Sequence, residues 1–248
     1  MDLENFFETH KKVAIAFSGG VDSAYLLYAA ITSGADATAY YVKSQFQPQF
    51  EYEDAKRLAK ELSASMKVIP LDALSDPNIV RNPENRCYFC KKHIFSAIKE
   101  AALQDGYVEL LDGTNASDDA GDRPGMKALQ ELSVYSPLKL CGITKQEVRE
   151  RSKRAGLFTW DKPAYACLAT RIQWGEEITE DKLKRVEKAE CYLMSLGFQD
   201  LRVRVSKEEA RILLRRTQFE KYKALETEIH AELQQYFSRV TLDPNGRP

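Results

Sequence analysis

Two groups of residues in this 248-residue chain have the types and spacing for chemistry. The first is Ser18-Gly19-Gly20-Val21-Asp22-Ser23, which follows a short apolar run at 13–17 and opens a helical pattern. Glycines let a backbone approach a ligand closely and adopt positive φ. The start of a helix offers unpaired N–H groups and a partial positive charge. Ser18 and Ser23 add hydroxyl donors, so an anion belongs in this loop. No Gly-Lys-Ser/Thr closes it, which excludes a Walker A loop. A ligand-free strand-to-helix turn capped by Asp22 or Ser23 is the alternative reading.

The second group is the thiols. Cys87 and Cys90 form a CxxC within Arg86-Cys87-Tyr88-Phe89-Cys90-Lys91, and Cys167 lies in Pro163-Ala164-Tyr165-Ala166-Cys167-Leu168-Ala169-Thr170-Arg171. With Cys141 and Cys191 the total is five, an odd number without an export-type N-terminus, which argues against a disulfide framework. Nearby cations activate thiols, and Lys91, Lys92 and Arg171 are close in sequence. Four readings stand open. Cys87 and Cys90 could be a redox pair. With Cys167 they could be three ligands of a [4Fe–4S] cluster that leaves one iron open. With His93 they could hold zinc. Or all three could be packing residues, for which a CxxC flanked by Arg86 and Lys91 is poor material. Cys141 and Cys191 sit in apolar contexts and are expected in the core.

The elements that must position these groups are α/β. Strands at 13–17, 37–42, 66–70 and 107–112 alternate with helical patterns at 22–33, 51–62 and 91–103, which implies parallel strands with crossover helices and a ligand site beyond the strand carboxyl ends. Thr144-Lys145-Gln146-Glu147 is a capping box opening a helix to about residue 154. Residues 157–178 read as a long functional connection. Helix, two strands, helix and strand then make a small α+β unit, in which period-2 alternation places Arg202 and Arg204 on one strand face. The expected domains are 1–156, the connection 157–178 carrying Cys167, and 179–248. Apolar residues are 44 % and charged residues 29 %, suited to a globular chain, and no apolar run is long enough for a membrane helix. The N-terminus lacks a signal-peptide layout, so the cytoplasm is the expected location. With 36 basic and 37 acidic residues, the net charge of −1 argues against a bulk nucleic-acid binder but leaves room for a local basic pocket.

The Ser18 to Ser23 loop resembles that of the PP-loop ATP pyrophosphatases, an adenine-nucleotide alpha-hydrolase-like fold. That resemblance implies that the loop holds the pyrophosphate of ATP while the α-phosphate passes to a substrate, with Asp22 helping to hold Mg²⁺. Over nearly its whole length the chain resembles the LarE family of ATP-dependent sacrificial sulfur transferases. The carriers are the loop, Asn85 to Lys91, Asp112-Gly113-Thr114-Asn115 with Asp118-Asp119 and Asp122-Arg123-Pro124-Gly125, Ser136-Pro137-Leu138, and the Cys167 segment.

The family resemblance implies adenylylation of a pyridinium dicarboxylate mononucleotide and replacement of AMP by sulfur, on the route to a nickel-pincer cofactor. Members with one cysteine give up that residue's sulfur. Members with three hold a [4Fe–4S] cluster that carries an exchangeable sulfide, and Cys87, Cys90 and Cys167 match this second type. Cys167 and Asp22 are then catalytic, Ser18 to Ser23 and Arg123 bind ATP, and Arg171, Arg202, Arg204 and Glu190 bind substrate. Glu220 is a further metal or substrate candidate, and Asp118, Asp119 and Asp122 bind Mg²⁺ or cap a turn. The partners implied are a small mononucleotide, a sulfur donor outside the chain and further copies in a homo-oligomer, with no nucleic acid and no membrane. Rival readings are a cluster-dependent tRNA thiolase, an amidating ligase such as NAD synthetase, and a non-catalytic nucleotide and metal sensor.

Overall fold

The computed structural model describes residues 2–118 and 123–247, and their side chains except those at 123 and 124. In chain order the elements are α1 (Leu3–Thr9), β1 (Lys12–Ala16), α2 (Val21–Thr32), β2 (Asp36–Lys43), α3 (Gln49–Glu61), β3 (Ser65–Pro70), α4 (Pro77–Val80), α5 (Arg86–Gln104), β4 (Glu109–Leu111), α6 (Arg123–Glu131), α7 (Pro137–Leu140), α8 (Lys145–Arg154), α9 (Glu180–Ser195), β5 (Arg202–Ser206), β6 (Glu209–Leu213), α10 (Phe219–Leu233) and β7 (Arg239–Leu242). They fall into two compact units. One is Met1–Asp72 with Asn85–Lys162, and the other is Ala73–Glu84 with Pro163–Pro248. Among the described residues no helix is long and apolar enough to cross a membrane.

The first unit is a parallel sheet of order β3-β2-β1-β4. Its central strands are apolar on both faces, as a sheet covered on both sides requires. Alternation sends Val13 and Ile15 to one face, where they meet Leu26 and Leu27 of α2 and Val148 of α8. It sends Ala14, Tyr40 and Leu110 to the other face, against Ile98 and Ala102 of α5. The crossover helices start where the sequence can cap them. Thr144 and Glu147 form a reciprocal capping box at α8. The helix carrying the CxxC begins at Arg86, ahead of the expected start near Lys91. Asn85 takes the cap position and Arg86 is buried, so Cys87 and Cys90 lie inside the first turns of α5.

The second unit pairs β5 with β6 antiparallel and β6 with β7 parallel, alongside α9 and α10. The 73–84 stretch is tied into it by Asn82, which is fully buried in the left-handed region at φ 52°. Its Nδ2 donates to the carbonyls of Gln173 (2.8 Å) and Ile172 (3.3 Å), and its carbonyl accepts from the Gly175 N–H.

In the first unit the strand order turns back on itself. The chain runs outward from β1 to β2 and β3, then returns to the other side of β1 as β4, which makes the carboxyl ends of β1 and β4 the switch point at which sheets of this kind bind ligands. Two glycines allow close approaches there. Gly19, at φ 74°, lies against the main chain of Ala55 in α3, and a side chain at Gly113 would sit 2.8 Å from the Ser23 backbone nitrogen. Gly113→Ala therefore forces β4 away from the start of α2. It is expected to lower stability by about 1–3 kcal/mol, the usual range for overpacking, in urea denaturation. An unchanged midpoint would show that the two segments have slack.

Candidate functional site

The Ser18 to Ser23 loop follows the carboxyl end of β1 and runs into α2. Gly20 is the N-cap of α2 and Asp22 lies in its first turn. The loop holds its own shape. The Ser18 N–H donates to Ser23 Oγ at 3.2 Å, the two hydroxyl oxygens are 3.1 Å apart, and Ser23 Oγ reaches the Gly20 carbonyl at 3.2 Å. The helix start thus presents its N–H groups on a preformed turn, the arrangement that binds phosphate.

Asp22 is the electrostatic centre of the loop. Its Oδ2 is 2.5 Å from Lys145 Nζ, and its Oδ1 accepts from the fully buried Asn115 Nδ2 at 3.3 Å. Asn115 in turn accepts from the Ser117 N–H, and its own N–H donates to Asp118. Sequence reasoning placed Lys145 only in a capping box and missed its reach to Asp22. The signal was a cation at the first position of α8, where the helix dipole disfavours positive charge unless an anion faces it. The Asp22–Lys145 pair is partly exposed, so either member can exchange its partner for a metal ion or a phosphate oxygen.

Behind it stands Asp112, at the end of β4. Its carboxylate accepts from Ser136 Oγ (2.6 Å) and from Thr114 Oγ1 (2.5 Å). Burial pushes its pKa above the ordinary carboxylate range, against the opposing pull of these hydrogen bonds and of the Lys91 charge. Lys91 directly follows the CxxC. In α5, Cys87 is exposed and Cys90 half-buried, and the i, i+3 spacing puts them on one side of the helix.

In the second unit Cys167 is half-buried and caps a 3-10 turn, Leu168–Arg171. Arg171 and Glu190 are 1 % and 0 % exposed and pair with each other (Nε to Oε1, 2.9 Å). Hydrogen bonding and charge from Glu190 outweigh the burial that works against the Arg171 cation, and its pKa is raised. Arg202 is buried as well. It donates to the carbonyls of Leu201 (2.6 Å) and Ala164 (2.5 Å) and lies over the Tyr165 ring. Burial first, then the Arg171 and Arg247 charges, lower its pKa to about 10, which still leaves it cationic at neutral pH.

Arg204 shares the strand face but is exposed, because the 164–165 segment covers only Arg202. Glu220 is an exposed partner of Lys223. Cys141 is half-buried at the edge of the core, whereas Cys191, expected inside, is exposed on the outer side of α9. Asp119, Asp122 and the side chain of Arg123 lie outside the described residues. Among the described residues no group of three His, Cys, Asp or Glu side chains is arranged to hold a metal ion, and no cysteine forms a disulfide.

A parallel sheet whose switch point carries an SGGxDS loop at a helix start defines a PP-loop α/β enzyme, a class that works with ATP. No protein-family model matches the chain. It is 35 % identical to the pyridinium-3,5-bisthiocarboxylic acid mononucleotide synthase of Lactiplantibacillus plantarum, over 95 % of this chain and 87 % of that protein. It is also 39 % identical to an uncharacterised protein of Synechocystis, over 99 % of this chain and 93 % of the other. A tRNA-specific 2-thiouridylase of Fervidobacterium nodosum is 28 % identical over 59 % of this chain, about half of that protein. The chain belongs to the LarE family of sulfur-transferring PP-loop enzymes.

The raised pKa of Asp112 has a consequence for stability. A carboxyl whose folded value exceeds the unfolded value near about 3.9 is held protonated longer by the folded state. Stability is therefore lost as pH rises from the unfolded value through the folded one. Asp112→Asn removes that loss. The melting temperature of the variant relative to the parent is expected to rise as pH increases above about 4, the unfolded carboxyl value, and a difference that is flat with pH would show that Asp112 is not destabilised by burial.

Proposed function

We propose that this enzyme adenylylates a ring carboxylate of pyridinium-3,5-dicarboxylate mononucleotide with ATP and replaces AMP with sulfur. The observation that carries the reading is the Asp22 centre: an acidic side chain with exchangeable partners, set on a glycine loop at a helix start, in a chain 35 % identical to a synthase of the bisthiocarboxylic acid. A carboxylate is a poor electrophile because its oxygen leaves badly. Attack of that oxygen on the α-phosphorus breaks the bond to the β-phosphate oxygen, and pyrophosphate departs. A sulfur nucleophile then adds to the acyl carbon, AMP leaves with the shared oxygen, and a thiocarboxylate results. Loop N–H groups and the Lys145 cation stabilise the charge on the departing phosphates, and Asp22 would hold Mg²⁺, which would supply further positive charge there. Arg123 joins them in this reading.

Arg202 suits the substrate phosphate. It is a buried cation whose neighbours Arg171 and Arg247 outweigh the nearby Glu190 carboxylate, its two hydrogen bonds go to neutral carbonyls, and a further anion would offset its charge. Arg204 adds a second, exposed guanidinium on the same strand.

The chemistry of the thiols supports an iron–sulfur cluster in this reading: Cys87 and Cys90 lie one turn apart on α5, Cys167 precedes a 3-10 turn in the second unit, and none is in a disulfide. These three residues would hold the cluster. When bound, a [4Fe–4S] cluster with one open iron supplies an exchangeable sulfide. In this reading the enzyme works in the cytoplasm as a homo-oligomer and takes sulfur from an outside donor.

Two measurements test the proposal. Pyrophosphate release with the dicarboxylate mononucleotide should fall about 100-fold or more in Asp22→Asn, the scale of losing one key electrostatic group; an unaffected rate would remove Asp22 from the site. Anaerobic protein should contain about four irons per chain, lost in each of Cys87→Ala, Cys90→Ala and Cys167→Ala. Stoichiometric zinc, or loss of hydrogen sulfide mass from Cys167 after turnover, would overturn the cluster while leaving the adenylylation standing.

A further inference from the structure

The buried charges of the second unit are organised around the main chain of Cys167. Glu190 has each carboxylate oxygen engaged twice. Oε1 accepts from Arg171 Nε at 2.9 Å and from the Val203 N–H at 2.8 Å. Oε2 accepts from Arg171 Nη2 at 3.1 Å and from the Tyr165 hydroxyl. This fixes the plane of the guanidinium and leaves Nη1 to work elsewhere. Nη1 donates to the Ala166 carbonyl (2.7 Å), the Thr170 hydroxyl (2.9 Å) and the Cys167 carbonyl (3.3 Å). The same Cys167 carbonyl accepts from Thr170 Oγ1 at 2.8 Å and from the Thr170 N–H at 3.0 Å.

Folding alone does not call for such an arrangement. A buried ion pair is about break-even against an apolar filling of equal volume, so its presence asks for a geometric reason. A planar fork supplies one, since only a guanidinium can grip a carboxylate along one edge and two carbonyls along another. Tyr165 lies over the Arg171 guanidinium at 4.4 Å and bonds Glu190, which closes the network on the other side of the cysteine.

We infer that Glu190 and Arg171 are positioning residues rather than substrate contacts: Glu190 aims the guanidinium, and the guanidinium clamps the carbonyls of residues 166 and 167 so that the Cys167 side chain leaves the backbone in one fixed direction. The inference rests on the proposed role of Cys167 in sulfur delivery. Thr170 is the exposed third member of the clamp.

The test compares Arg171→Lys, which keeps the charge and loses the fork, with Thr170→Val, which removes one exposed hydroxyl, and with Cys167→Ala. In Thr170→Val pyrophosphate release should stay within about twofold of the parent, and any fall in Arg171→Lys should be smaller than its fall in transfer. Thiocarboxylate formed per pyrophosphate should fall about tenfold or more in Arg171→Lys and less in Thr170→Val, as expected when a reacting group is displaced by about 1 Å. Amide hydrogen exchange over 164–171, measured on the cluster-free chain, should accelerate in the same order.

A general loss of folding would instead lower both steps together. If Arg171→Lys does not fold, Thr170→Val decides through the same ratio and the same exchange. Parental transfer and parental exchange in the folded clamp variants, with transfer abolished in Cys167→Ala, would overturn the positioning role alone. Parental transfer in Cys167→Ala would overturn the reading beneath it.

Discussion

A single backbone-to-backbone contact governs the surroundings of the Ser18 to Ser23 loop. The segment just after β4 lies so close to the first turn of α2 that residue 113 has no room for a side chain against the Ser23 nitrogen. Because both sides of the contact are main chain, no change of rotamer can relieve it. It brings Asp112 and Asn115, in the segment after β4, to the loop that follows β1, and Asn115 then reaches Asp22. The sheet order is what makes the approach possible, since β4 returns to the side of β1 that β2 left open.

Charge is used in two physically different ways in the two units. Asp22 and Lys145 meet partly exposed to solvent, where water competes and partners can be traded at small cost. Arg171 and Glu190 meet with water excluded, where removing either one strands the other. In the proposed function the first pair is one that trades partners with the phosphates of ATP. The second suits a group that must not move. Asp112 stands between these cases, buried and opposed by desolvation, yet supplied with hydroxyl donors that keep its orientation.

Much of this was legible in the sequence because it is local. The strand–loop–helix around Ser18 to Ser23, the Thr144 to Glu147 box and the period-2 strands that carry Arg202 and Arg204 each follow from residues a few positions apart. What escaped depends on distant parts of the chain. Lys145 finds Asp22 across 123 positions, and Arg202 is buried because residues 164 and 165 fold over it. Cys191 reads as apolar helix, but the buried face of α9 runs through Leu183, Val186, Glu190 and Leu193 and leaves it outside. Glu190 reads from the sequence as a substrate-site candidate, but its pairing with Arg171, Tyr165 and the Val203 N–H depends on partners from the 165–171 segment and from β5. The α5 start was misplaced by the polar run at 84–87, which hides a buried arginine.

The second unit is assembled from two stretches separated by some eighty residues of the first. A ribosome finishes 73–84 long before its partners exist, so Asn82 must wait without the carbonyls of Ile172 and Gln173 while the intervening sheet is still emerging. Contacts of such long separation close late and slowly. A carboxy-terminal fragment cut at the obvious linker would be born without its own bolt, and the segment that carries Cys167 takes its final form only when almost the entire polypeptide has been made.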